Sequence, residues 1–183
     1  YEIERLVEYA KTLRLDAGIS FFTVDDMLDF SNYELFDFFK VPSVEFQNID
    51  LITELLNLKK PVYASLGCQS ESSIEKIMAH FQAFKNFHIM HCVSNYPVTA
   101  HNSNLGYIRY FKDKYKREIG YSSHEEDWQL VLAAVALGAN TIERHISLGN
   151  RAGLDETSST SITEFAEMVR LVKLVESAKS GYA

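Results

Sequence analysis

The sequence predicts an α/β fold of the TIM-type (β/α) barrel class, and three observations carry that prediction. First, short β-rich runs alternate with amphipathic helical stretches along the whole chain, the pattern of a parallel sheet with helical cover. Second, no GxGxxG follows the first strand, so the dinucleotide-binding form of the open doubly wound sheet lacks its signature. Third, several strand segments carry one small or polar alternate face that gains chemistry at its C-terminal end. These faces are Tyr63, Ser65 and Gly67; Cys92, Ser94 and Tyr96; Gly120, Ser122 and His124; and Thr141, Glu143 and His145. A polar interior at one barrel mouth accounts for this repetition better than an open sheet does.

The elements follow in order. Ile3, Leu6, Val7, Ala10 and Leu13 recur at helical spacing over 1–14, so a helix is expected to be under way at Tyr1. A strand over 17–22 leads to a short helix over 25–31 with acids in its first turn. The strand 35–41 precedes a helix over 48–58 that Asn48 caps. The strand 61–66 precedes a helix over 70–84, and Ser70, Glu71 and Glu75 favour that end as its start. Strands over 87–94 and 118–123 flank a helix over 104–115. A Leu-, Val- and Ala-rich helix over 125–137 stops at Gly138. The strand 141–146 and a helix over 161–177, opened by a Ser161–Glu164 capping box, complete six βα units. A full eight-unit barrel takes about 250 residues and at least ~200, whereas this chain has 183.

Composition removes several classes. With 18 Lys and Arg against 25 Asp and Glu, the net charge is −7, and no basic stripe offers itself to nucleic acid. No apolar run is long enough to span a membrane, and Tyr1-Glu2-Ile3-Glu4-Arg5 is not a signal peptide, so a cytoplasmic protein is expected. With 12 Phe, 10 Tyr and only 3 Pro, the chain is not disordered. Cys68 and Cys92 fit neither a zinc pair nor a redox motif, and two buried free thiols are expected.

His124 and His145 end successive strand segments on faces expected to point inward. Two such imidazoles suit a divalent metal with positions left for substrate. The competing reading is two ordinary polar residues at strand ends. Glu143, on the face of His145, fits a third ligand, a supporting partner or half of a buried ion pair. Lys40, with Ser43 and Glu45 just beyond its strand, suits phosphate or carboxylate; a surface salt bridge is the plainer alternative. Ser65, Ser94 and Ser122 end three other strands and with Lys40 outline an anion cup, while Tyr96 before Pro97 reads first as packing.

At these residues the chain resembles the N-acetylneuraminate (sialic acid) synthase family of phosphoenolpyruvate-dependent sugar-acid synthases. Gly120-Tyr121-Ser122-Ser123-His124 is similar to the family's GYSDH, and Ala134 to Ala139 followed by Ile142-Glu143-Arg144-His145 to its AVALGA…IEKH. Gly153-Leu154-Asp155 resembles GPDH, Lys40-Val41-Pro42-Ser43-Val44-Glu45 resembles KIxSxE, Pro61 to Gly67 resembles PVxxSTG, and His91 to Pro97 resembles HCTSxYP. The resemblance implies a TIM barrel that condenses phosphoenolpyruvate with an N-acetylated aldose, N-acetylmannosamine-like, to a nine-carbon keto sugar acid, releasing phosphate. It implies His124 and His145 as ligands of a divalent ion, Mn2+ or Mg2+, that polarises the aldehyde. Lys40, Ser43, Ser65, Ser94 and Ser122 would bind substrate. Tyr96 and Asp155 would line the sugar side, and Glu45 would support the anion site or the proton transfers around it, which makes Glu45 and Tyr96 the catalytic candidates.

The chain departs from the family pattern at definite places. Ser123 stands for the Asp of GYSDH, Phe21 for a phosphate-binding Thr, Leu66 for the Thr of STG, and Glu156 for the His of GPDH. The resemblance also implies that the chain holds strands three to eight of one barrel domain over 1–183. The two opening βα units, with their Glu and Lys, and a C-terminal antifreeze-like domain would lie outside it. The full-length protein is expected to be a homodimer, and these 183 residues alone are not expected to be active. Two other readings remain: another metal-dependent barrel aldolase or lyase, and a degenerate barrel that binds sugar without catalysis.

Overall fold

The computed structural model describes residues 2–30, 32–149 and 153–179. The expected first residue of the opening helix, Tyr1, and the expected end of the short helix, Ser31, fall outside them. Residues 1–88 form one compact unit and 89–183 another, the boundary falling inside the strand Phe87–Cys92. Parallel strands alternating with helices place the chain in the α/β, TIM-type class.

In the first unit, α1 (Glu2–Thr12), β1 (Gly18–Ser20), α2 (Val24–Asp29), β2 (Phe38–Val41), α3 (Ile49–Asn57), β3 (Val62–Ser65) and α4 (Glu71–Phe81) follow one another. The three strands pair in parallel, Ser20 beside Lys40 and Lys40 beside Tyr63. Strand alternation then splits β2. Phe39 and Val41 are fully buried, while Phe38 and Lys40 take the opposite face. On that opposite face Phe38 meets Tyr63 edge-on at 5.7 Å, and His88 stacks on Tyr63 at 4.9 Å. Gly18 makes room for this layer of rings: a Cβ there would lie 2.2 Å from Phe38.

The helices bury what their spacing predicts. Leu51, Ile52, Leu55 and Leu56 of α3 are fully buried, each contributing about 1.5–3 kcal/mol of transfer free energy. Asn48 Oδ1 accepts from Leu51 N at 3.1 Å and Ser70 Oγ from Ser73 N at 3.1 Å, so both expected caps form. The expected strand 35–41 is shorter than read. Tyr33–Leu35 close a 3-10 turn, and Asp37 pairs with Ala17, accepting from its N–H at 2.8 Å and donating its own N–H to the Ala17 carbonyl at 2.7 Å. That local pairing takes the groups a longer β2 would use.

In the second unit β4 (Phe87–Cys92), β5 (Ile119–Ser123), β6 (Ala139–Ser147) and β7 (Ser159–Ser161) pair in parallel in that order. Three helices accompany them: α5 (Gly106–Tyr115), α6 (Leu130–Ala136) and α7 (Ile162–Lys179). Trp128, Val131, Val135 and Met168 make a buried cluster, with Ile142, Phe165 and Val172 packed against it. Gly138, at φ +109°, supplies the left-handed residue that ends the α6 segment. Gly120 lets β5 lie close to β4, since a Cβ there would meet Met90 at 2.8 Å.

Four expectations in this unit are corrected. The strand expected over 87–94 ends at Cys92, so Ser94 and Tyr96 lie in the loop beyond it, where Asn95 N bonds Val93 O at 3.0 Å. The strand expected over 141–146 runs from Ala139 to Ser147. The helix expected from Glu125 starts at Leu130, because the chain stays extended at 124–125, where Val98 N bonds the His124 carbonyl at 2.9 Å and Val98 bridges Glu125. The strand β7 was not foreseen, since Ser159-Thr160-Ser161 has no apolar alternation. The capping box opening α7 forms as read, Ser161 N to Glu164 Oε2 at 3.1 Å and Glu164 N to Ser161 Oγ at 3.3 Å. Both cysteines are free, but only Cys92 is buried; Cys68 is exposed in the turn after β3. Among the described residues no helix is long and apolar enough to cross a membrane.

Gly18→Ala is expected to destabilise the protein by about 1–3 kcal/mol in urea unfolding, because the new methyl overlaps the Phe38 ring. Pairing it with Phe38→Ala should recover part of that loss; a single substitution costing under about 0.5 kcal/mol would contradict the packing described.

Candidate active site

The second unit builds its site from the ends of β5 and β6. Their register sets Ser122 beside Glu143, and Ser122 Oγ donates to Glu143 Oε1 at 3.1 Å. Two residues on, on the same alternate face of β6, is His145; just past β5 is His124. The two imidazole rings lie 5.4 Å apart between centroids, tilted by 47°. Tyr96 lies over His124 at 4.2 Å and meets His145 edge-on at 6.0 Å, so it covers the pair from the loop after β4. Pro97, joined to Tyr96 by a cis peptide bond, follows it in that loop.

His124 is 4% exposed. Its Nδ1 lies 3.2 Å from the Val93 carbonyl, with Cys92 Sγ at 3.7 Å. A carbonyl only accepts, so this bond puts the proton on Nδ1 and leaves the Nε2 lone pair available. Burial lowers the His124 pKa below the ordinary histidine value; the Val93 bond opposes this, and neighbouring His145 adds to it. The ring is therefore held in the neutral form that metal binding requires. Two imidazoles sharing one ion at about 2.1 Å have ring centroids roughly 4.5–5.5 Å apart, and the observed spacing falls there. The pair thus fits a divalent ion held by two protein nitrogens. Among the described residues no group of three or more His, Cys, Asp and Glu is arranged to hold a metal. Such an ion would complete its shell with water and substrate oxygens.

Behind the pair is a buried polar network. Glu125, 2% exposed, accepts from Ser123 Oγ at 2.7 Å and from the Tyr121 hydroxyl. Burial, then the Glu125 carboxylate, raises the Tyr121 phenol above its ordinary value and keeps it a donor. Arg144, on the face of β6 opposite His145, donates to Thr160 Oγ1 at 2.6 Å, to Ser123 Oγ at 3.2 Å and to the Glu125 and Glu126 carbonyls. Nearby, His91 is buried, bonds the Ser103 carbonyl through Nε2 at 2.8 Å and stacks on Tyr121 at 5.7 Å.

Asp155 lines a cleft of about 300 Å3 with His145, Ser147, Glu156 and Ser159. Glu156 is anchored there by Ser147 Oγ, at 2.6 and 2.7 Å from its two oxygens. Ser94 has its hydroxyl 4.0 Å from Cys92 Sγ.

The first unit holds the anion candidates Lys40, Ser43 and Ser65. Lys40 Nζ donates to Ser65 Oγ at 2.8 Å, which joins the ends of β2 and β3. Ser43 Oγ accepts from Gly67 N at 3.0 Å, and Gln69 Nε2 donates to the Ser43 carbonyl at 2.9 Å. Lys40 with Ser65, and Ser43 with Gly67, are therefore two bonded pairs between the same two strand ends. Glu45 instead faces α3, its Oε2 accepting from Asn48 Nδ2 at 2.9 Å. Phe21 and Leu66 are core residues, each 4% exposed, and Phe21 sits among Phe30, Tyr33 and Phe39.

Sequence reasoning missed Arg144 and Glu125. A signal existed for Arg144: it alternates with Glu143 and His145, so it points to the helix-facing side of β6, where a charge needs a buried partner. Glu125 carried none, because it read as the start of a helix.

Comparison with known proteins shows that residues 1–182 match the NeuB family. The N,N'-diacetyllegionaminic acid synthase of Campylobacter jejuni is 33% identical over 126 residues, which cover 66% of this chain and 38% of that protein. The human N-acetylneuraminate-9-phosphate synthase is 34% identical over 139 residues, covering 73% of this chain and 38% of that one. Among solved structures, the N-acetylneuraminic acid synthetase of Leptospira borgpetersenii, in complex with citrate, superposes with a TM-score of 0.91 at 29% identity. That likeness covers 100% of this chain and 64% of the Leptospira chain. The chain therefore spans about two-fifths of the length of these sequence relatives.

Burial holds both His91 and His124 below their ordinary pKa, so the unfolded chain binds protons that the folded chain does not. Stability is then complete above the unfolded pKa of about 6.5 and falls as pH drops through and below it, by at most about 1.4 kcal/mol per pH unit for each ring. Urea unfolding at pH 7.5, 6.5 and 5.5 should show this fall, and His91→Gln should flatten it. A stability that is level or rising on acidification across that window would contradict the assignment.

Proposed function

The chain belongs to the NeuB family, and on that premise we propose that it carries part of the active site of a synthase joining phosphoenolpyruvate to an N-acetylated aldose. The observation that carries the reading is the His124–His145 pair at the ends of two adjacent parallel strands, 5.4 Å apart between ring centroids, with His124 held neutral. In this reaction C3 of phosphoenolpyruvate bonds the aldehyde carbon, the aldehyde oxygen gains a proton, water adds at C2 and phosphate leaves by C–O cleavage. The product is a nine-carbon sialic-acid-type keto sugar acid, and the chain is a transferase-type enzyme's core.

Each residue has a part. His124 and His145 would hold Mn2+ or Mg2+, which supplies Lewis acidity toward the aldehyde oxygen. The Val93 carbonyl fixes the tautomer of His124, and Tyr96 covers the pair and lines the sugar side. Glu143, bonded to Ser122, lies on the face of His145 and orients polar groups there. Asp155 contributes to the sugar-side cleft beside His145, with Ser94 in the loop that carries Tyr96. In the first unit, Lys40, Ser43 and Ser65 bind the anionic substrate, the Lys40 ammonium supplying charge and the hydroxyls supplying donors. Glu45 acts through α3: it holds Asn48, whose cap fixes the helix that follows the anion-binding turn.

The burial of Phe21 and Leu66, where the family pattern has polar groups, favours a second reading, a sugar-binding barrel without catalysis. One experiment separates the two. In the full-length protein, phosphate release from phosphoenolpyruvate should require both Mn2+ and an N-acetylated aldose. His124→Ala and His145→Ala should each weaken Mn2+ binding in calorimetry by about 100-fold or more, beyond what loss of a supporting group does, and Lys40→Met should raise KM for phosphoenolpyruvate. Unchanged Mn2+ affinity in both histidine variants would sink the metal site. Sugar binding without phosphate release would favour the non-catalytic reading, and turnover of a sugar phosphate without phosphoenolpyruvate would favour a lyase.

A further inference from the structure

We propose that Arg144 is a positioning residue which, as one unit with Ser123, sets the placement of the His124–His145 pair. The inference rests on the role given above to that pair. Arg144 is the chain neighbour of His145, and three of the groups it holds, Ser123 Oγ and the carbonyls of Glu125 and Glu126, belong to residues around His124. Its remaining bond, Nε to Thr160 Oγ1 at 2.6 Å, fastens it to β7. A planar guanidinium has five donors in a rigid fork. Its several bonds therefore fix the turn carrying His124 against the strand carrying His145, with little freedom left in either.

The network is closed as well as buried. Ser123 is fully buried, receives one bond from Arg144 and passes its own hydrogen to Glu125 at 2.7 Å. Glu125 also takes the Tyr121 hydroxyl, and its charge opposes the loss that burial imposes on the guanidinium. The chain around Glu125 is also held extended, Val98 N bonding the His124 carbonyl at 2.9 Å, and α6 begins five residues beyond Glu125. Glu125 is the buried charge of this set, and leaving it without its donors would be expensive.

Ser123 and Arg144 lie in the two segments that resemble GYSDH and IEKH, at the positions where the resemblance puts Asp and Lys. The structure puts the two side chains in contact. With Ser at 123, the carboxylate of the network comes from Glu125, reached through the Ser123 hydroxyl. A Lys at 144 presents its donors from a single point and would not span Thr160, Ser123 and two carbonyls at once. The two side chains therefore act as one unit, and a change at either should need a matching change at the other.

The test uses the full-length protein without metal, then with Mn2+. Long-range 1H–15N spectra, assigned with His124→Gln and His145→Gln, report each imidazole. Arg144→Ala should move the ring signals of both His124 and His145 and weaken Mn2+ affinity by about tenfold or more. Val131→Ala, in the buried cluster under α6, should lower Tm but leave the rings unmoved, which separates positioning from general loss of stability. Ser123→Asp and Arg144→Lys should each perturb the rings, and the double variant should bring them back toward their original positions, a coupling that independent sites do not show. Ring signals unmoved by Arg144→Ala, rings moved as far by Val131→Ala, or perturbations that simply add in the double variant would each overturn the proposal. If the unaltered protein binds no Mn2+, the metal reading fails, while the ring signals still decide the role of Arg144.

Discussion

The parallel register of β5 on β6 is the constraint from which the second unit's chemistry follows. It places Ser122 opposite Glu143, and because side chains alternate, that one pairing also decides where the next residues point. His145 falls on the face of Glu143, and Arg144 on the other. A slip of one residue would exchange them, burying an imidazole against the helices and turning the guanidinium to the face that now carries Glu143 and His145. The register is itself secured by size. Gly120 lets β5 approach Met90 of β4, and Ile142 packs from the far face of β6 into the Trp128, Val131, Val135 and Met168 cluster. Site and core are thus set by opposite faces of the same strand.

What lies on the helix-facing side at the end of that strand is polar, and it works only as a complete set. Glu125, 2% exposed, would be costly alone in this environment, since an unpaired buried charge loses far more solvation than packing returns. Glu125 and Arg144, together with Ser123, Tyr121 and Thr160, leave few donors unused. The local secondary structure yields to them. The sequence offers a helix from Glu125, yet Glu125 bridges Val98, the carbonyls of Glu125 and Glu126 accept from Arg144, and the helix waits until Leu130. Tertiary demand here outweighs a propensity worth only tenths of a kcal/mol per residue.

That contest marks the limit of what was legible in the sequence. Elements with strong periodicity and a cap, such as α3 behind Asn48 and α7 behind Ser161, fall where spacing puts them. The inward faces were equally readable, because period-two alternation needs no partner to be seen, and Lys40 with Ser65 and His124 with His145 do come together. Three things were not readable. The strand β7 has only Ser-Thr-Ser, with no pattern to betray it. The end of β4 at Cys92 depends on a turn at Val93–Asn95 that the β-rich sequence conceals. Arg144 depends on contacts with residues at 123, 125, 126 and 160, and a long-range polar network has no local signature.

The departures from the family pattern divide by the same physics. Phe21 and Leu66 replaced polar positions and found apolar company: Phe21 packs against Phe30, Tyr33 and Phe39, and both side chains are buried. Such a change needs no second substitution, because an apolar group asks only for contact area. Ser123 differs. It is fully buried at the one point where a guanidinium and a carboxylate are both within hydrogen-bond reach, and a polar group there must match its neighbours in both number and direction of bonds. A change of donor and acceptor count at 123 therefore calls for a matching change at 144, whereas Phe21 and Leu66 could change one at a time. The apolar departures are thus absorbed by packing alone, whereas Ser123 is tied to the network that the proposal links to the placing of the imidazoles.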